Sequence, residues 1–332
     1  MLSSIYIQVS KRCNLRCKHC FNDSNSSSTE LFDPARAEEL ANQAAAMGCR
    51  VAVITGGEPT LTMDSTCALA QALIERGIVP IVYSHMSSVR PQQLERLRTA
   101  GVFIIHTSLD SPDPDEHDWF RGSPGSFRRT VDNVHRAMDE GFEIWARMTL
   151  TTFNHLKAVR MADFLADLSV RSFRVRPMVP VGRASREFCL RSTQLRTTVG
   201  QLLEWRGRNA GRIDITFLPT CFEFLLEPIE DRPHIPCFIA KAFIAPNGDV
   251  QGCNYFTPVL GNVFETPLPI LWPAYAQKVQ DSIGSCETCD SCASWHVCHG
   301  GCKANNAAYG IPLSSPDPLC FMASNVQPGC PA

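Results

Sequence analysis

Two hydrophobic periods alternate along the N-terminal half of the chain. Short runs rich in β-branched residues lie at 5–9 (IYIQV), 51–55 (VAVIT), 78–84 (IVPIVYS), 102–110 (VFIIHTSLD), 143–151 (EIWARMTLT) and 172–178 (SFRVRPM), and they read as strands. Between them, stretches 33–47, 64–76, 91–100, 126–140 and 155–168 carry the three-to-four-residue spacing of amphipathic helices. Punctuation agrees with this reading. Asp33-Pro34 opens the first helix with proline in its first turn. Gly48, Gly77, Gly101 and Gly141 each follow a helical stretch, where the chain needs a positive φ.

Successive βα units predict an α/β fold with a parallel sheet and right-handed crossovers. Six strands are too few to close an eight-stranded barrel, so an open, partial, TIM-like (β/α)6 barrel is expected. Ligands of such sheets gather at the carboxyl ends of the strands. Three segments fall on that rim: "CNLRCKHC" (13–20) after strand one, "GGEP" (56–59) after strand two, and "SLD" (108–110) closing strand four. Beyond "PVGRA" (180–184) the pattern changes. A helix at about 192–208 and a strand at 213–218 lead into Pro- and Cys-rich sequence, and the expected division is a barrel over 1–218 and a small domain over 219–332.

Composition narrows the classes. Apolar residues make up 44% of the 332, charged residues 19%, and the formal net charge is −2. Neither a nucleic-acid surface nor an acidic tail is indicated. No apolar run approaches the length of a membrane span, and the start lacks the features of a signal peptide. A cytoplasmic protein without membrane or nucleic-acid partners is expected. Sixteen cysteines in a reducing compartment favour metal or redox chemistry over disulfides. Ten of them lie between Cys221 and Cys330, a density that points to a domain organised by metal.

The first three cysteines, Cys13, Cys17 and Cys20, are spaced C-x3-C-x2-C. Most iron–sulfur clusters take four thiolates, so three leave one iron of a [4Fe–4S] cluster open to a small bidentate ligand. Taken alone, the triplet also suits a non-catalytic cluster or a zinc site.

These residues resemble the radical S-adenosylmethionine superfamily, whose C-x3-C-x2-C motif sits on the loop after strand one. The resemblance implies that the open iron binds S-adenosylmethionine, which is reductively cleaved to a 5′-deoxyadenosyl radical that abstracts a hydrogen from substrate. His19 stands at the family's aromatic position before the third cysteine. "TGGEP" resembles the glycine-rich segment, which implies that Gly56, Gly57 and Glu58 meet the methionyl amine. "SLDSPDPDEHDWFRGSPGSF" resembles the family's SLDG…HD…RG…GSF stretch, which implies polar contacts from Ser108 and Asp110. "RPMVPVGRA" resembles the segment after strand six, with backbone near Val179 against adenine.

The C-terminal third resembles the seven-cysteine SPASM domain of the same enzymes. By that resemblance, Cys289, Cys292, Cys298 and Cys320 hold an outer auxiliary [4Fe–4S] cluster, and Cys237, Cys253 and Cys302 hold an inner one. Cys221 is either the inner cluster's fourth ligand, or that cluster keeps an open iron. A zinc ribbon is the competing reading of these cysteine pairs. Cys49 and Cys67 are expected in helix–strand packing, while Cys286 is a spare ligand or a loop residue. Cys189 and Cys221 are the candidate hydrogen-atom donors for an epimerisation.

The outcome classes are epimerisation, dehydrogenation and C–S or C–C bond formation. Strand one begins near residue 5, which leaves no room for an added leader-binding domain. A small polar natural product of sugar, aminoglycoside or nucleoside type is therefore the leading expectation, with a ribosomal-peptide maturase as the alternative. An electron-transfer iron–sulfur protein and a zinc-structured binding module are alternatives of another class. A flavodoxin or ferredoxin is the expected reductant. Asp113, Asp115, Glu116, Asp118 and Trp119 are read as a solvated rim loop that could also face a cationic substrate.

Overall fold

A computed structural model describes residues 2–219, 222, 226, 237–255, 258–283, 289 and 291–322. Its strands are β1 (Ser4–Ser10), β2 (Val51–Gly56), β3 (Val79–Tyr83), β4 (Ile104–Ser108), β5 (Glu143–Leu150), β6 (Ser172–Pro177), β7 (Asp214–Phe217), β8 (Lys241–Ile244), β9 (Asp249–Gln251) and β10 (Gly261–Asn262). They form one sheet in the order β10-β9-β8-β1-β2-β3-β4-β5-β6-β7. All neighbours from β8 to β7 are parallel, and β9 and β10 return antiparallel. Among the described residues β7 does not pair with β8, so the sheet is an open barrel, as expected.

Side chains alternate between its faces. Ile5, Ile7 and Val9 of β1, Ile144, Ala146 and Met148 of β5, and Phe173 and Val175 of β6 are buried in one core beneath the helices. The covering helices are α1 (Ala37–Ala46), α2 (Met63–Ile74), α3 (Pro91–Thr99), α4 (Pro114–Arg121), α5 (Ser126–Asp139), α6 (Ala158–Asp167) and α7 (Ser192–Arg208). Each fully buried Leu, Ile or Phe in this layer contributes about 1.5–3 kcal/mol. The opposite face is not apolar. Tyr6, Tyr83, His106, Trp145, Arg147, Thr149, Arg174 and Arg176 occupy the alternate positions that face the barrel lumen.

The structure corrects the sequence expectation in one place and adds two elements to it. The acidic stretch after β4 is not a rim loop but helix α4. Asp113 caps it, accepting from the backbone N–H of Asp115 at 3.1 Å and of Glu116 at 3.2 Å, with Pro114 at its start. Its acids serve structure: Asp118 accepts from Ser126 Oγ at 2.8 Å and from the Phe127 N–H at 2.7 Å, and Glu116 pairs with Lys157.

The sheet continues beyond residue 218. Strand β8, four residues too short to stand out by period, adds to β1 in parallel, pairing Tyr6 with Phe243. The cysteine-rich region also contains a long helix, α8 (Leu268–Ile283), with Trp272 and Tyr275 in the core.

Candidate active site

The triplet loop is gripped from three sides by backbone that only glycine permits. After β2, the N–H groups of Gly57 and Glu58 donate to the carbonyls of Ser10 at 2.7 Å and Arg12 at 2.8 Å. A Cβ on Gly56 would come within 2.2 Å of the Ser10 carbonyl oxygen, and one on Gly57 within 2.1 Å of that of Arg12. At the end of α4, Phe120 accepts from the Lys18 N–H at 2.9 Å, and a Cβ on Gly122 would meet the Arg16 carbonyl at 2.7 Å. After β6, Gly182 (φ +67°) lies so close to Phe21 that a Cβ would be 2.3 Å from its carbonyl oxygen. Arg183 then donates through Nε to the Cys17 carbonyl at 3.2 Å and through Nη1 to Asp23 at 2.6 Å. Three loops from separate strands thus fix the conformation of residues 10–24.

Held in this way, Cys13, Cys17 and Cys20 line one cavity with His19, Gly56, Gly57, Ser108 and Val179. Five of the seven expected cofactor-binding positions therefore line the same cavity as the three cysteines. Burial pushes the Cys13 thiol up to about 12 and raises that of Cys17 as well. Metal binding replaces such protons. Among the described residues no three His, Cys, Asp or Glu side chains converge to hold a single ion. A cluster that takes one thiolate per iron does not need that convergence. Buried, clustered thiols on a fixed loop fit a [4Fe–4S] group.

The Asp110 and Glu58 carboxylates are engaged within the fold. The Asp110 carboxylate is fully buried and outside the cavity lining, 2.6 Å from the Arg121 guanidinium and accepting from the Thr149 N–H at 2.9 Å. Despite burial, Arg121 holds its carboxyl below the usual range. Arg121 in turn donates to the Cys17 sulfur at 3.8 Å. Sequence reasoning missed Arg121, although it is the arginine of the "RG" that carried the resemblance. The Glu58 carboxylate turns into the fold, accepting from Thr60 Oγ1 at 2.7 Å and from the His85 N–H at 2.9 Å. Both acids brace the loop from behind.

His19 stacks flat on Phe120, ring centroids 4.5 Å apart, and burial pushes it down to about 3, so it is uncharged. Cys189 is buried among Met178, Ala184 and Phe188 and lines neither this cavity nor the next. Cys49 lies in the core and Cys67 is half-buried. Cys221, Cys286 and Cys330 and the side chain of Cys237 lie outside the described residues.

A second cavity opens from the first and shares Phe21, Thr55, Tyr83, Arg147, Arg176 and Tyr255 with it. Cys253 and Cys302 line its far wall. Cys302 is fixed by Asp317, whose buried carboxylate accepts from the Cys302 N–H at 2.6 Å and from Asn305 Nδ2 at 3.0 Å. Cys302 and Cys253 also pack with Val179 and Val181 of the β6 loop, which binds the cysteine-rich region to the barrel rim. The Cys292 N–H donates to the Cys289 carbonyl at 2.9 Å, Cys298 ends a short helix (Trp295–Cys298), and the Cys320 N–H donates to the Asp317 carbonyl at 2.8 Å.

An open parallel barrel with three thiols on the loop after β1, and two further cysteines facing the same continuous space, defines an iron–sulfur enzyme of the class that activates S-adenosylmethionine. Residues 7–165 match the radical SAM superfamily, and residues 237–293 match SPASM, an iron–sulfur cluster-binding domain. The chain belongs to the radical SAM superfamily and carries a SPASM domain, and these domains imply S-adenosylmethionine, a [4Fe–4S] cluster and auxiliary clusters. An AdoMet-dependent heme synthase of Nitratidesulfovibrio vulgaris is 23% identical over 94% of this chain and 90% of its own. The mycofactocin maturase MftC of Mycobacterium ulcerans is 25% identical over 94% and 86%. Streptococcus suis SuiB bound to S-adenosylmethionine shares the fold, with a TM-score of 0.81 at 21% identity over 97% of this chain and 77% of that one. No helix among the described residues is long and apolar enough to cross a membrane.

Proposed function

We propose that this radical SAM enzyme is a peptide maturase that oxidises its substrate by hydrogen abstraction. The observation that carries the reading is the continuous space from Cys13, Cys17 and Cys20 to Cys253 and Cys302. Support for a peptide comes from relatives named as maturases, among them MftC and the subtilosin biosynthesis protein AlbA of Bacillus subtilis. SuiB bound to its precursor peptide SuiA adds to it, with a TM-score of 0.80. They favour the maturase alternative over a sugar, aminoglycoside or nucleoside substrate.

Cys13, Cys17 and Cys20 would hold the first cluster, and Cys253 and Cys302 belong to the inner auxiliary site. When bound, the reduced first cluster supplies the electron that cleaves S-adenosylmethionine to the radical that takes hydrogen from substrate. The chain's own residues prepare that event. Gly56 and Gly57 bring the β2 turn against the triplet loop and leave an open backbone edge for the methionyl group. Ser108 offers a hydroxyl on the cavity wall, and Val179 an apolar surface for adenine. Arg121 keeps a positive charge beside Cys17. An oxidative outcome is the reading because Cys253 and Cys302 face the same space, and an auxiliary cluster held there would take the second electron while the substrate releases a proton.

The test is turnover of the anaerobically reconstituted protein with S-adenosylmethionine, a flavodoxin reductant and ribosomal precursor peptides in D2O. Formation of 5′-deoxyadenosine with a peptide two mass units lighter supports the reading. A peptide of unchanged backbone carrying solvent deuterium would replace oxidation by epimerisation. Turnover of sugars or nucleosides but not peptides would overturn the substrate class.

A further inference from the structure

Among the described residues, the lumen of the barrel carries positive charge without its counterpart. Arg147 on β5 and Arg174 on β6 are register partners, directly opposite each other on neighbouring strands and facing the same side. Like charges in that relation repel and destabilise the sheet. Neither makes an ion pair or a side-chain hydrogen bond with any described residue, and Arg174 Nε is buried without a partner. What they have instead are aromatic faces. Arg147 lies over Tyr83 at 5.1 Å and Arg174 over Trp145 at 4.1 Å from the ring centroids. Stacking of this kind steers a guanidinium and offsets part of its desolvation, but it supplies no negative charge.

Lys241 at the start of β8 closes the group, 5.9 Å from the centroid of Tyr6. All three cations act on Tyr83, favouring its phenolate against a larger opposing effect of burial. Phe243, Tyr6, Tyr83, His106 and Trp145 run as successive ring contacts around the wall from β8 to β5. His106 is buried, both its ring nitrogens lack a hydrogen-bond partner, and burial with Arg147 and Arg174 keeps it neutral. Neither cavity has a described aspartate or glutamate in its lining.

We propose that Arg147 and Lys241, which both line the second cavity, form an anion subsite in the lumen that receives a carboxylate of the substrate, with Arg174, opposite Arg147 on the sheet, adding its charge from outside the lining. The inference rests on the peptide reading for its source, an acidic side chain or the C-terminal carboxylate. Planar guanidinium forks match a carboxylate in geometry as well as in charge, and the aromatic wall suits the side chains beside it. The methionyl carboxylate of S-adenosylmethionine is the competing anion. However, the expected methionyl and adenine contacts, Gly56, Gly57 and Val179, lie on the rim, whereas Lys241 lines only the second cavity.

The first arm of the test measures binding without turnover. Reconstituted protein saturated with S-adenosylmethionine is titrated with glutarate and, separately, with glutaramide. Glutarate should bind to wild type and weaken at least tenfold in Arg147→Gln and in Lys241→Gln, Arg147→Lys should recover part of the loss, and glutaramide should not bind. Equal glutarate affinity in wild type and variants overturns the subsite. So does a comparable loss of S-adenosylmethionine affinity in the variants, which would assign the cations to the cofactor. Iron content and thermal midpoint are read on each variant, and the Arg147→Lys protein carries the comparison if a glutamine variant fails to fold.

The second arm compares a turned-over peptide with the same peptide made amide at its Asp, Glu and C-terminal positions. A rise in KM of tenfold or more for the amide form is expected, and an unchanged KM overturns the role in substrate binding. If glutarate binds as described while no peptide is turned over, the peptide reading fails and the subsite stands.

Discussion

Arg121 donates to the sulfur of Cys17 at 3.8 Å while its guanidinium sits 2.6 Å from the Asp110 carboxylate. A cation from α4, an anion from the end of β4 and a thiol from the loop after β1 are joined in one buried contact. The side chains of Arg121 and Asp110 are only 8% and 0% exposed, so removing either leaves the other charge buried and unpaired. Arg121→Gln should therefore destabilise the protein by about 3–5 kcal/mol. Urea unfolding measures it, and a change below about 1 kcal/mol, the range of an exposed pair, would contradict the buried-pair account.

The glycines of the rim make a sharper prediction, because their need is local. Gly57→Ala forces the Arg12 carbonyl away from a Cβ that would be 2.1 Å from it, displacing the segment that leads into Cys13. Iron should fall by about four per chain, one [4Fe–4S] cluster, with the auxiliary clusters retained and S-adenosylmethionine cleavage lost. Gly77→Ala is the control. Its Cβ meets nothing within 4 Å, and only the strain of φ +68° remains, about 1–2 kcal/mol, with full iron content.

The cysteines divide by where they face. Cys189→Ala should still give product, because its thiol lies with Met178 and Phe188 outside both cavities. Cys302→Ser should keep 5′-deoxyadenosine formation but lose modified product. Chromatography of both products from one reaction decides. Loss of product in Cys189→Ala with cleavage intact would restore it as a hydrogen donor.

Acid should weaken the fold through His117. Burial on α4 pushes this imidazole from 6.5 down to about 4. The unfolded chain thus takes up a proton below pH 6.5 that the folded chain refuses. The contribution of His117 is complete above pH 6.5, is lost as pH falls towards 4, and changes no further below that. Urea midpoints between pH 7 and 4.5 should fall less in His117→Gln than in wild type. Parallel slopes would remove His117 from the account.

Much of this architecture was legible in the sequence, and its gaps have physical causes. The β-branched runs of β1 to β6 and the glycines after helices carried the barrel, because burial beneath helices demands that pattern. Helix α4 escaped because its eight residues, PDEHDWFR, hold too few apolar positions to declare a period. The SLD motif gave Asp110 its place in the chain but not the direction of its carboxylate, since it lies two residues beyond the last residue of β4. The lumen arginines were visible in principle. W-A-R-M-T on β5 and R-V-R on β6 alternate strictly, whereas parallel strands buried on both faces are apolar throughout. A polar row in such a sheet marks a cavity.

The pairing of β8 with β1 also sets an order in time. Residues 4–7 are made 237 positions ahead of their outer neighbours, residues 241–244. At about 5–20 residues per second, that delay is roughly 10–50 s. Through it, the backbone edge that precedes the triplet stays open to any other strand. Among the described strands, β1 waits longest for its second neighbour.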